Sequence, residues 1–327
     1  MARNISTTFD LSGERAVIVG NGNVALDVAR VLTVDPDHLA TTDIANHALE
    51  ALRRSNIREV VVLGRRGPLQ AAYTTPEFLA LAHLENIDIV VDPADLELDH
   101  TSRALLDAAD AEPALAMKYT LAQEYGAMPA PELSVNKRIV FRYLGSPVAL
   151  RGTGRVESLD FVHNELIEDR GRLVARPTAR TETIETGLVL RAIGYKGTPV
   201  KDLPFDEARG VVPNEHGRVI GPDGSPVHGV YVSGWIKRGP RGVIGSNRTD
   251  SVETVEHLLS DFSTGRLAPP RAGRETLKAL LAERQSDLVD RDGWKAIDRA
   301  ETTAGDASGR PRVKLTTRAA LLEAARE

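Results

Sequence analysis

The residues best suited to chemistry in the first part of the chain are a cluster of glycines and a pair of arginines. Gly20-Asn21-Gly22-Asn23-Val24-Ala25 follows the apolar run Ala16-Val17-Ile18-Val19 and leads into an amphipathic stretch from Val24 to Leu32. Strand, tight turn and helix in that order give a Gly-x-Gly-x-x-Gly/Ala pattern its meaning. Gly20 allows the sharp turn, Gly22 lets backbone approach a pyrophosphate, and Ala25 keeps the helix close to the sheet. Unpaired N–H groups at the helix start face the phosphates. The next strand, Glu59-Val60-Val61-Val62-Leu63-Gly64, ends in Arg65-Arg66. A site for NAD would place a carboxylate there for the ribose hydroxyls. A guanidinium fork instead suits a 2′-phosphate, so the pattern predicts NADP(H).

Each half of this signal has an ordinary reading, a tight strand-to-helix turn and a solvated strand end. Their combination is what points to a nucleotide. The second strand arrives about twice as late as the usual ~20-residue spacing. An insertion from Asp35 to Arg54, with helical spacing of Ile44, Ala48, Leu49 and Leu52, accounts for the delay.

These elements sit in a chain of 327 residues, long enough for two domains with proper cores. An apolar fraction of 42% and a charged fraction of 27% are those of an ordinary globular protein. The net charge of −5 gives no basic field for nucleic acid. With no cysteine there can be no disulfide, thiolate metal site or iron–sulfur ligation, so electron chemistry must come from a bound organic cofactor. The 8 histidines lack metal-ligand spacing, and no metal is expected. No run reaches the ~18 apolar residues of a membrane helix, and Met1-Ala2-Arg3-Asn4-Ile5-Ser6 has no signal-peptide core. A cytoplasmic address without membrane or nucleic-acid partners is expected.

The first part alternates strand and helix. A helix near Glu77 to His83 and a strand at Ile87 to Val91 predict a parallel sheet with crossover helices. Residues 99 to 131 read as helical. A β-rich section follows, with strands at Arg138 to Tyr143, Val156 to His163 and Leu173 to Ala175. Arg151-Gly152-Thr153-Gly154 has a strand and no helix after it, so it is a hairpin turn. Strands at Leu188 to Ile193 and Gly229 to Ser233 come next, the latter running into Gly234-Trp235-Ile236-Lys237-Arg238-Gly239-Pro240-Arg241-Gly242-Val243-Ile244-Gly245. A helix is expected from about Asp250, with Asp250 and Glu253 as a capping box. The glycines and Trp235 beside that helix start read equally as a ligand loop or as ordinary turns. The tail predicts helices at Glu275 to Leu288 and Thr317 to Arg326, with a basic Gly309-Arg310-Pro311-Arg312-Val313-Lys314 between them.

Three segments in this order, Val17 to Arg30, Gly64-Arg65-Arg66-Gly67-Pro68-Leu69-Gln70-Ala71-Ala72-Tyr73-Thr74, and Gly234 to Pro240, resemble the adrenodoxin-reductase family of ferredoxin–NADP(+) reductases in its actinobacterial form. The likeness runs from about Leu11 to the C-terminus. It implies an α/β protein with a doubly wound NADP-binding domain (residues 11–190, including the β-rich section). The C-terminal half of a split FAD-binding domain, with the terminal helices, would occupy residues 191–327. The implied activity is FAD-dependent electron transfer between NADPH and a ferredoxin-type iron–sulfur protein. By the same resemblance, Asn21, Gly22, Asn23 and Val24 contact the NADP phosphates and ribose, Arg65 and Arg66 its 2′-phosphate, and Glu77 its nicotinamide side. FAD would be met by Trp235, Gly242, Val243 and Ile244, with Gly242 also close to NADP.

The sequence departs from the family pattern twice. The family begins with a separate Gly-x-Gly-x-x-Gly for the FAD pyrophosphate, which this sequence lacks. Relatives also commonly carry an acid one helical turn beyond Glu77, where this chain has Ala80, so no acid–base role is assigned. Two further expectations follow from the first departure. One is a split enzyme in which a separate chain supplies the amino-terminal FAD segment. The other is a truncated fragment that binds NADP(H) without being a competent flavoenzyme by itself.

Overall fold

The computed structural model describes residues 9–108, 112–128, 135–240, 242 and 244–327. Two compact units divide the chain, one running to Ile193 and including Val289–Glu327, the other Gly194–Leu288. The first unit contains, in order, β1 (Arg15–Val19), α1 (Asn23–Thr33), α2 (Pro36–Leu39), α3 (Asn46–Arg53), β2 (Glu59–Leu63), α4 (Thr75–Leu79), β3 (Ile87–Val91), α5 (His100–Asp107), α6 (Pro113–Ala127) and β4 (Lys137–Arg142). It continues with β5 (Gly145–Arg151), β6 (Ser158–Asp169), β7 (Arg172–Glu185) and β8 (Leu188–Arg191). The second unit holds β9 (Asn214–Glu215), β10 (Arg218–Ile220), β11 (Pro226–Tyr231), α7 (Trp235–Arg238), α8 (Ile244–Ser263) and α9 (Arg274–Arg284). Two last helices, α10 (Arg291–Asp306) and α11 (Arg318–Ala324), pack in the first unit.

Five strands form a parallel sheet in the order β3-β4-β2-β1-β8. Side chains alternate between its faces, as the two-residue period of a strand requires. Ala16, Ile18, Val60 and Val62 join a core with Leu26, Ala29, Phe78 and Tyr125 from α1, α4 and α6. Val17, Val61 and Leu63 point the other way and pack with Leu159, Phe161 and Ile184 from the antiparallel sheet β5-β6-β7. The sheet is α/β on its helical face, and a second sheet covers its other face. Reversal of the strand order falls at β1, whose neighbours are β2 and β8. In such sheets ligands bind beyond the carboxyl ends of the strands at this point, where Gly20 lies.

Several expectations are borne out. Helical spacing in the insertion yields α3, which buries Leu49 and Leu52, and Gly152 and Gly154 fall in the turn between antiparallel β5 and β6. Others are corrected. The strand expected at Arg138 to Tyr143 forms as β4 (Lys137–Arg142), but it joins the parallel sheet and not the antiparallel layer of the β-rich section that follows. Its pairing with β2 and β3 buries Ile139 and Phe141 completely. The helix expected from about Asp250 begins at Ile244, so Asp250 and Glu253 lie inside α8 and cap nothing. Their carboxylates serve the α7 segment: Asp250 accepts from the Gly234 N–H and pairs with the Lys237 ammonium at 3.0 Å, which Glu253 also reaches.

Sequence periodicity did not foresee α10. Asp290 caps it, accepting from the N–H groups of Asp292 and Gly293 at 3.1 and 3.0 Å. The basic segment after it holds the structure together. Arg310 donates to the carbonyls of Thr42 and Ile44 and to Asn46 Oδ1, tying the insertion down. Arg312 pairs with Asp298 and Glu301, each at 2.9 Å.

An ion pair joins the two layers. Arg142, the last residue of β4, forms a bidentate pair with Glu182 of β7 at 2.8 and 2.9 Å, and Glu182 also meets His163 Nε2 at 3.1 Å. Hydrogen bonding from Arg142 lowers the Glu182 pKa to about 2 from an ordinary 4.5. A carboxylate depressed on folding adds stability that is complete above its unfolded pKa and is lost as pH falls toward the folded one. Urea midpoints are therefore expected to decline between pH 5 and 2, with a shallower decline for Glu182→Gln. Parallel pH profiles for the two proteins would remove Glu182 as a contributor.

Candidate dinucleotide site

At the carboxyl end of β1 the chain turns through Gly20, whose φ is +111°. Its N–H donates to the Leu63 carbonyl at 2.9 Å, while the Ala192 N–H reaches the Val19 carbonyl at 2.8 Å. The turn is thus held between the ends of β2 and β8. Gly22 is the N-cap of α1 and has no side chain to satisfy the helix's first N–H groups. Gly22 accepts from Ala25 and Leu26, so the N–H groups of Asn23 and Val24, at the positive end of the helix, remain for an anion.

The segment after β2 folds over this turn. The Tyr73 N–H donates to the Asn21 carbonyl at 2.9 Å, and the Thr74 N–H donates to Asn23 Oδ1 at 2.8 Å. The Asn23 side chain is therefore engaged with Thr74, and its backbone N–H is the part that can meet a phosphate. The Asn21 amide lies so close to Gly64 that a Cβ there would come within 2.3 Å of Nδ2. That buried nitrogen has no acceptor among the described residues. Beneath the loop is a buried aromatic floor. Tyr73 and Tyr143 share a hydrogen bond of 2.6 Å, Phe78 stacks on Tyr73 at 4.4 Å, and Lys118 lies over the Tyr73 ring while donating to the Ala71 carbonyl. Burial pushes the Tyr73 phenol well above its ordinary pKa, so the pair stays neutral.

Arg65 is exposed and Arg66 half-buried. Neither guanidinium has an acidic partner among the described residues. Burial and the like charge of Arg65 lower the Arg66 pKa. Two adjacent cations without a carboxylate form a local positive field that an anion would relieve. Glu77 stands in the first turn of α4, 3.7 Å from the Arg30 guanidinium of α1.

The structure brings Asn21, Gly22, Asn23 and Val24 together with the segment carrying Arg65, Arg66 and Glu77. Trp235 and Gly242 lie in the other unit. Trp235 opens α7 with 48% of its surface exposed, and Gly242 (φ +90°) precedes α8. Val243 lies outside the described residues, as does the side chain of Ile244. Sequence reasoning passed over Asn164, whose amide reaches the Arg65 carbonyl at 2.8 Å. Nothing in the β-strand pattern around it marks that contact.

A helix start with free N–H groups, a glycine that backbone contact enforces, and two arginines without an acidic partner among the described residues fit NADP(H). The exposed indole face of Trp235 and the positive-φ Gly242 ahead of a long helix fit one end of a flavin dinucleotide. Among the described residues there is no cluster of His, Asp or Glu able to hold a metal, and no helix long and apolar enough to cross a membrane.

Fold and site together define a dinucleotide-binding α/β protein. No model of a known protein family matches the chain. It is 47% identical over 320 residues to the NADPH-ferredoxin reductase FprA of Mycobacterium leprae, covering 96% of this chain and 67% of the relative. It is 41% identical to bovine mitochondrial NADPH:adrenodoxin oxidoreductase, covering 94% and 62%. The structure of Mycobacterium tuberculosis FprA in complex with NADPH superposes with a TM-score of 0.86 at 43% identity, covering 97% of this chain and 69% of that one. The chain belongs to the adrenodoxin-reductase-like family of ferredoxin–NADP(+) reductases and spans about two thirds of the length of its FprA relatives. Those relatives are single longer chains, which lends no support to a separate chain supplying the FAD segment.

Proposed function

We propose that this chain serves electron transfer between NADPH and a ferredoxin-type iron–sulfur protein, with FAD as the intermediary. The observation that carries this reading is the Arg65-Arg66 pair after β2, without an acidic partner among the described residues, in a chain 44–47% identical to NADPH-ferredoxin reductases. Backbone N–H groups at Gly22, Asn23 and Val24 hold the pyrophosphate, with Asn21 beside the ribose. Arg65 and Arg66 take the 2′-phosphate, and Glu77 lies on the nicotinamide side. Trp235, Gly242, Val243 and Ile244 belong to the FAD surface.

In this reading residues 11–190 carry NADP and 191–327 form the C-terminal part of the FAD-binding domain, of which α10 and α11 pack within the first unit. When bound, FAD would supply the link between a two-electron hydride donor and a one-electron iron–sulfur acceptor. The protein's share is to bind, orient and exclude water, and with Ala80 at its position no acid–base role is assigned to that turn. A cytoplasmic location, where NADPH is the common reductant, is part of the same reading.

The test is anaerobic mixing of the FAD-loaded protein with NADPH, followed at the flavin absorbance. Bleaching is expected, with re-oxidation when ferredoxin is added. A flavin that binds and yet stays oxidised under excess NADPH overturns the assignment.

A further inference from the structure

The arginine segment is held from an unexpected direction. Gly64, Arg65 and Arg66 leave the sheet at the end of β2, and their carbonyls are taken up by the β5–β6 hairpin rather than by the nucleotide turn. The Gly145 N–H donates to the Gly64 carbonyl at 2.9 Å, and the Leu144 N–H to that of Arg66 at 3.2 Å. Between them the Arg65 carbonyl accepts from a side chain, the Asn164 amide, at 2.8 Å. The same amide donates to Ser146 Oγ at 2.9 Å. The Arg65 carbonyl can only accept, and this alone fixes which end of the amide faces it.

At Asn164 the pairing of β6 with β7 is irregular. It runs from Val162↔Thr181 to Asn164↔Pro177, two steps on β6 against four on β7, so the extra residues bulge from β7 opposite His163. Thr178 Oγ1 closes the irregularity by donating to the His163 carbonyl at 2.8 Å. Asn164 is only 6% exposed, and its own N–H is bonded to the Leu144 carbonyl at 2.6 Å. Leu144 itself adopts φ +55°, a left-handed conformation that a leucine keeps only when its surroundings impose it. A left-handed leucine and a buried amide thus converge on the backbone of two exposed or half-exposed arginines.

We infer that Asn164 is a positioning residue for 2′-phosphate recognition, fixing the backbone from which Arg65 and Arg66 reach the nucleotide. The inference rests on the reading of Arg65 and Arg66 as the 2′-phosphate site. A long arginine side chain samples many rotamers, and its productive range depends on where its Cα and carbonyl are fixed. Removing the amide takes away the Arg65 carbonyl's donor, and the segment is free to shift toward another. Phosphate contacts suffer, while pyrophosphate contacts at the Gly20–Ala25 turn do not.

The experiment measures NADPH and NADH binding by calorimetry for the parent protein, Asn164→Ala, Ser146→Ala and the Arg65→Ala/Arg66→Ala pair. Asn164→Ala is expected to weaken NADPH by about tenfold with NADH unchanged, the scale on which a small displacement of positioned groups is felt. Ser146→Ala, which removes the amide's other acceptor from the same hairpin, should leave the NADPH preference intact. If Asn164→Ala does not fold, Asn164→Ser keeps a small polar group at this position but cannot span to Arg65, and the same loss is expected. An equal loss for both nucleotides, or none, in a folded Asn164 variant overturns the positioning role while the double arginine variant still loses its preference. If the double variant keeps the parent's preference, the arginine site itself is wrong and the inference falls with it.

Discussion

Replacing Arg65 and Arg66 together with alanine is expected to erase the preference of this protein for NADPH over NADH. The two nucleotides differ by the 2′-phosphate alone. Hydrogen bonds to charged groups contribute ~1.5–3 kcal/mol each, so one lost contact corresponds to at least a ~10-fold change in affinity. The parent should therefore discriminate by ~10-fold or more, and the double variant by almost nothing. Because no acidic side chain among the described residues competes for either guanidinium, the variant leaves no buried charge behind and should fold normally. Lysine at both positions should restore part of the preference, since it keeps the charge and loses the planar fork. Titration calorimetry of each protein with each nucleotide decides the matter. Equal affinities in the unmodified protein would refute the site.

How much of this was legible in the sequence depended on whether a residue's role is local. The Gly20–Ala25 turn was legible because strand, turn and helix are adjacent in the chain and each glycine answers a backbone demand. Leu49 and Leu52 showed their helix through periodicity alone. Non-local pairings hid the rest. Asp250 and Glu253 have the spacing of a capping box, yet their carboxylates reach Lys237 and the Gly234 N–H, and the helix starts at Ile244. Glycines and threonines in α10 give it weak intrinsic helicity. Its partners are distant instead: Arg312 on Asp298 and Glu301, and the Leu315 N–H on Glu301 Oε1 at 2.9 Å. Asn164 was invisible for the same reason, because a lone asparagine in a strand acquires meaning only once the fold lays β6 beside the Arg65 carbonyl.

The two glycines of the fingerprint should separate folding from binding. Alanine at position 20 would put its Cβ 2.3 Å from the Ala192 carbonyl oxygen and 2.7 Å from that carbonyl carbon, with φ at +111°. Both obstacles are backbone, and the strand end they belong to is hydrogen-bonded to Val19, so nothing nearby can give way. Strain and overpacking together should cost about 3 kcal/mol or more in stability, read as a lower urea midpoint. Position 22 is different. Its φ is −93°, and the nearest atom to an added Cβ is the Ala72 methyl at 3.9 Å. Gly22→Ala should therefore fold with at most about 1 kcal/mol lost, the usual scale for an N-cap change. Its methyl, however, occupies the space through which the pyrophosphate approaches the N–H groups of α1. NADPH and NADH should both weaken by at least ~10-fold, because both carry the pyrophosphate. A Gly22→Ala protein that binds both nucleotides as the parent does would show that the phosphates are held somewhere other than this turn.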